Sequence, residues 1–186
     1  MPLVVALVLA LCALLALPTG GAAEAVPGVC TGENSSPNGR NAASINASTL
    51  CLMNEIRTVH RLAPLHFNAS LGRIASGQAR DMVRGHYFAD QSLAGLSPLA
   101  RIMASGYVAH QAKPHLHAAQ NIGWGLGHAA TPAGIVQAWM ESPPHRAIIL
   151  TGVYRDAGVG VSPSVPSGFS SPYHGGTYAA EFGIRR

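Results

Sequence analysis

The chain is 186 residues long, carries a formal charge of +4, and has only 11% charged residues. That length suits one domain with one continuous core and is short for two. The twelve basic residues run from Arg40 to Arg186 without forming a stripe in the sequence, so no nucleic-acid partner is expected, and weak attraction to acidic surfaces is the most the charge implies.

Leu3 to Leu17 is an almost unbroken apolar run that stops at Pro18 and is followed by small residues. It is shorter than the roughly 20 residues a spanning helix needs, so residues 1–25 are read as a signal peptide cleaved after Ala25 or Ala23. A retained anchor is the alternative, because no Lys or Arg precedes the run. The reading makes the protein secreted. Cleavage removes one acid, Glu24, and takes the formal charge from +4 to +5. It also removes Cys12 and leaves Cys30 and Cys51, either as one disulfide worth about 3 kcal/mol or as two free thiols.

Residues 26–47 are rich in Gly, Pro, Ser and Asn and are expected to form a flexible tail, with the domain occupying 48–186. Ser48 is placed as the cap of a first helix running to about Leu62, with Leu50, Met53, Ile56 and Val59 on its inner face. Asn68 caps a second helix, with Leu71, Ala75, Ala79 and Met82 inward and Gly85 as its stop. Ser97-Pro98 and Thr131-Pro132 each start a further helix by placing a cap before a proline. The third helix is expected to end by Gly106 and to bury Leu99, Ile102 and Met103; the fourth buries Ile135, Val136 and Trp139 and breaks at Ser142-Pro143. A short helix resumes through His145 to Leu150. Val159–Val161 and Thr177–Phe182 read as strands joined by a long hairpin loop, giving an α+β domain.

Five segments, in this order, carry a resemblance: Gly85-His86-Tyr87-Phe88, Gln120-Asn121-Ile122-Gly123, Trp139-Met140-Glu141-Ser142-Pro143-Pro144-His145-Arg146, Asp156-Ala157-Gly158-Val159-Gly160-Val161, and Gly176 to Gly183. They resemble the CAP superfamily of cysteine-rich secretory, antigen 5 and pathogenesis-related proteins, most closely its short bacterial-type domains. The resemblance implies an α/β/α sandwich with a central antiparallel sheet. It also implies a cleft where two histidines, matched here by His86 and His145, and acidic residues converge around a divalent metal such as zinc.

Several positions depart from that pattern. Gln120 stands where the family has Glu, and an amide cannot act as a base. Ser142 occupies a second acidic position, with Glu141 beside it as a substitute if it turns inward. Ala180 replaces a family Gln, and Glu181 follows it on the opposite side of the strand. Asn54, Asn121, Trp139 and Arg146 are assigned structural roles, Arg146 as a clamp on loop carbonyls. His110, His115 and His117 read as a solvated loop, and Asn34, Asn46 and Asn68 begin glycosylation sequons. No standard hydrolase or phosphate-loop motif is present.

Three functions follow. The first is a non-enzymatic domain whose cleft or grooves bind a metal, a lipid or sterol, or a cell-surface partner. The second is a zinc-assisted hydrolase or peptidase using His86 and His145, with Glu141 or Glu181 as base. The third is a structural or adhesive exported protein that uses the loop at 162–176.

Overall fold

A computed structural model describes residues 30–107, 117–166 and 174–184. Its helices are α1 (Ala42–Val59), α2 (Ala69–Arg84), α3 (Pro98–Ala104), α4 (Pro132–Glu141) and α5 (Pro143–Ile149). Its strands are β1 (His66–Phe67), β2 (Ala118–Leu126), β3 (Asp156–Ser162) and β4 (Gly175–Gly183). The sheet order is β1-β3-β4-β2, antiparallel except that β1 runs parallel to β3. This is an α+β sandwich with α1, α4 and α5 on one face of the sheet and α2 and α3 on the other. Among the described residues no helix is long and apolar enough to cross a membrane.

Strand alternation sorts the core into two halves. Val159, Val161, Tyr178, Ala180 and Phe182 face α1, α4 and α5, where they meet Ile45, Met53, Ile135, Val136, Trp139 and Ile149. Gly158, Gly160, Ala179 and Glu181 face the other way, toward α2. The two glycines let α2 lie directly on β3. A Cβ at Gly158 would stand 2.0 Å from the Gly72 nitrogen, and one at Gly160 would stand 2.1 Å from the Ser76 nitrogen.

Helix starts follow the expected caps. The Asn68 side chain accepts from the Ser70 and Leu71 amides, Ser97 from Ala100, and Thr131 from Gly134. The first helix differs: α1 begins at Ala42, so residues 42–47, expected in the tail, are helical and Ser48 is buried inside the helix. Ile45 explains this, because its side chain joins the core and tertiary burial outweighs the weak propensity of its neighbours. Residues ahead of α1 are tied down as well. Cys30 and Cys51 form a disulfide, and the Ala133 amide donates to the Glu33 carbonyl.

Two inner faces are narrower than the periodicity predicts. Val59 is 80% exposed at the end of α1, and α3 buries only Ile102, leaving Leu99 and Met103 largely exposed. The stop of α2 is also built differently. Gly85 has an ordinary helical φ of −86°, while His86 takes the left-handed φ of +53°. The Tyr87 amide donates to the Met82 carbonyl and the His86 amide to Val83, which is the Schellman arrangement with His86 where glycine is usual. A Cβ at Gly85 would lie 2.7 Å from Leu93 Cδ1, so an added methyl there would displace that exposed side chain.

The carbonyl clamp assigned to Arg146 belongs to Arg57. Arg57 is fully buried and donates to the carbonyls of Ala63, Ile149, Thr151 and Tyr154, locking the end of α1 to the approach of β3. Arg146 is exposed and among the described residues donates to the Met140 carbonyl alone, at 3.2 Å. Asn54 exchanges two hydrogen bonds with the Leu65 backbone. A second unanticipated polar tie is the buried Tyr107 hydroxyl donating to Asp156 Oδ2 at 2.8 Å.

Candidate functional site

The motif residues of β2 divide between the two faces of the sheet. Asn121 and Gly123 face α4 and α5. Asn121 Nδ2 donates to the His145 carbonyl at 3.1 Å, and Gly123 leaves space for Trp139, whose indole donates to the Ile122 carbonyl at 2.9 Å. Gln120 and Ile122 face α2. There the Gln120 amide donates to Glu181 Oε1 at 2.5 Å, across the β2–β4 pair that sets these two residues opposite each other.

His145 sits in the first turn of α5. Its Nδ1 lies 2.8 Å from Ser142 Oγ, and Ser142 makes no hydrogen bond from its side chain to the amides of α5. The pair reads as a helix-start contact, in which the side chain three residues on engages the cap hydroxyl instead of the backbone. Glu141 does not turn inward to supply an acid: it is exposed and accepts from Gln137 at 2.9 Å. His86 is exposed beyond α2, and its side chain makes no hydrogen bond among the described residues. No hydrogen bond or ion pair joins His86, His145 and Gln120 among those residues. Of the histidine cluster, His117 is exposed, while His110 and His115 lie outside the described residues, as does the apolar run at the N-terminus.

Two carboxylates are interior among the described residues: Asp156, bonded to Tyr107, and Glu181, completely buried between β4 and the α2–α3 layer. Burial pushes its pKa up to about 7 and Asp90 adds to the rise, while the Gln120 hydrogen bond and Arg101 act against it. Arg101 Nη2 stands 4.0 Å from Glu181 Oε1 and is held by the Leu96 and Asp90 carbonyls. Glu181 Oε2 and Gln120 Oε1 are buried with no hydrogen-bond partner. One carboxylate and one neutral amide oxygen are too few ligands for a zinc ion, and the neighbouring guanidinium would repel it. Among the described residues the one group of three potential ligands is Cys30, Cys51 and Glu55, whose two sulfurs are already bonded to each other. Asp90 and Arg101 were not singled out from sequence. The signal was the Asp90 carboxyl just past the Gly85-to-Phe88 motif, with an arginine inside the short helix that follows.

Apolar space lies elsewhere. A groove of about 550 Å³ runs between α1 and α4, lined by Leu52, Ile56, Val59, Ala133, Val136 and Met140, with Glu55, His60 and Gln137 also contributing.

The family model for the cysteine-rich secretory protein family, CAP, matches residues 50–174. Two Bacillus subtilis proteins are similar in sequence. The uncharacterized membrane protein YlbC is 32% identical over 112 residues, 60% of this chain and 30% of that protein. The uncharacterized protein YkwD is 32% identical over 109 residues, 59% of this chain and 39% of that protein. The chain thus aligns with well under half of either relative. Three solved structures share the fold. An extracellular protein containing an SCP domain from Bacillus anthracis superposes with a TM-score of 0.61 at 22% identity, covering 82% of this chain and 45% of that one. A cysteine-rich secretory protein from Staphylococcus aureus gives 0.57 at 20%, covering 80% and 40%. An outer surface protein of Borrelia burgdorferi gives 0.55 at 17%, covering 74% and 90%. With the family model spanning most of the chain and the same sandwich recurring in these structures, the protein belongs to the cysteine-rich secretory protein (CAP) family.

Proposed function

We propose that this is an exported, non-enzymatic CAP domain that binds an apolar ligand, a single acyl chain or similar lipid, in the groove between α1 and α4. Support comes first from that groove, a mostly apolar surface with Glu55, His60 and Gln137 as its polar groups. Export rests on the N-terminal apolar run and accords with relatives described as extracellular or outer-surface proteins. The non-enzymatic reading rests on the carboxylates: Glu141 is bonded to Gln137 at the surface, and Glu181 is buried against Gln120 and Arg101. Neither stands as a base beside a water on His145, as a zinc hydrolase requires.

The test is displacement of a fluorescent fatty acid from the domain. Met140 lines the groove and is only partly buried, so Met140→Glu should weaken binding at least about tenfold, the scale of placing one charge in an apolar site, without unfolding the domain. Failure of the unsubstituted protein to bind, or equal binding by the variant, overturns the proposal. Zinc titration separates the hydrolase reading. The expected outcome is no binding at micromolar zinc; tight binding lost in a His86→Ala, His145→Ala double variant would reinstate the metal site.

A further inference from the structure

Three of the twelve basic residues are aligned by α2. Arg73, Arg80 and Arg84 are spaced seven and four apart, so they share one row of the helix, and all three are exposed along its outer crest. Arg73 is held by Ser70 Oγ at 3.0 Å; Arg80 and Arg84 have no side-chain partner among the described residues. Asp81, the one acid on this stretch of helix, accepts from the Tyr87 hydroxyl at 2.5 Å.

Large apolar side chains flank the crest where solvent would otherwise be expected. On one side Leu93 and Leu96, 68% and 47% exposed, share a depression of about 680 Å³ with Arg73. On the other, Phe67, 65% exposed, shares one of about 500 Å³ with Arg73 and Arg80. Neither leucine is in a helix or strand, and Phe67, whose backbone pairs with Ala157 on a two-residue edge strand, keeps most of its side chain exposed.

We propose that this face docks on the surface of an anionic lipid bilayer, with the three arginines meeting lipid phosphates and Phe67, Leu93 and Leu96 entering the headgroup region. A row of cations between exposed apolar side chains is the pattern of a peripheral membrane surface, in which charge attracts and apolar burial holds. Purely electrostatic contact with a polyanion would have no use for the leucines. The arginine crest and the leucines lie on the opposite side of the sheet from the α1–α4 groove, Phe67 stands at the sheet edge beside Asn46 of α1, and none of them lines that groove.

The experiment is vesicle flotation of the chain from Val26, since the core clusters and the disulfide all lie after that residue. Vesicles of phosphatidylcholine with phosphatidylglycerol are compared with phosphatidylcholine alone. Binding is expected only to the anionic vesicles. It should weaken about thirtyfold or more in Arg80→Glu, Arg84→Glu, from the usual contribution of two basic residues near such a surface. Leu93→Ser, Leu96→Ser should weaken it about tenfold or more, and Met140→Glu should leave it unchanged. Equal binding to both vesicle types, or no binding to either, overturns the proposal. So does loss with the arginine pair alone while the leucine pair binds normally and a soluble polyanion competes, which would make the face a polyanion site. Because the substituted residues are exposed, unchanged thermal melts show that lost binding is not unfolding.

Discussion

Replacing Glu181 by Gln should change how stability depends on pH in a direction opposite to that of most acidic residues. Glu181 is fully buried, and its pKa in the folded protein is raised from 4.5 to about 7, chiefly by burial. In the folded state it therefore keeps its proton over a range where the unfolded chain has already released one. The folded state then binds more protons, so this group's contribution to stability is undiminished below about pH 4, falls as pH rises, and levels off above about pH 7. At about 1.4 kcal/mol per pH unit, the rise from 4.5 to about 7 amounts to about 3 kcal/mol. Glu181→Gln keeps the shape and the contact with Gln120 but cannot ionise. Urea unfolding of both proteins at steps between about pH 4 and pH 8 should show the variant gaining about 3 kcal/mol relative to the parent over that range. A difference that stays constant with pH would refute the reasoning. So would a parent that gains on the variant as pH rises, since that would mean the Arg101 ion pair at 4.0 Å outweighs the cost of burying the charge.

Other substitutions probe the scaffold, each read from urea midpoints. His86→Gly should stabilise by up to about 1 kcal/mol, because it relieves a left-handed φ of +53° at a helix stop; no gain would mean that the imidazole makes a stabilising contact. Arg57→Met should cost at least about 3 kcal/mol by leaving four carbonyls without their donor, and Arg57→Lys should recover only part of it. Gly160→Ala drives a methyl into the α2 backbone and should cost about 3 kcal/mol or prevent folding, whereas Gly39→Ala, with nothing within 4 Å, should be close to neutral. Cys51→Ser opens the link between Cys30 and Cys51, 21 residues apart, and should cost about 3 kcal/mol.

The local punctuation of this chain was legible before any coordinates. Asn68, Ser97 and Thr131 cap helices through contacts within three residues, and Pro98 and Pro132 fix φ where the first turn needs it. The inner face of α2 was equally plain, because a row of Leu71, Ala75, Ala79 and Met82 has one way to be buried in a helix. The ordered motif segments carried the family, and with it the layered sandwich.

What the tertiary structure decided depends on which residues meet across long separations. β2 carries no β-branched run, and it is a strand because β4 pairs with all nine of its residues. α1 starts early because Ile45 reaches the core, and Arg57 is a buried clamp because carbonyls more than ninety residues away converge on it. The candidate site was the least legible part. Adjacent residues of a strand point to opposite faces, so Gln120 and Asn121, neighbours in one motif, serve different layers. For the same reason Glu181 could be excluded from the position of Ala180, yet only the register of β4 against β2 could reveal that it pairs with Gln120. Sequence determined the spacing of helices, caps and glycines because those depend on neighbours along the chain; the sheet register alone decided which polar groups share a face.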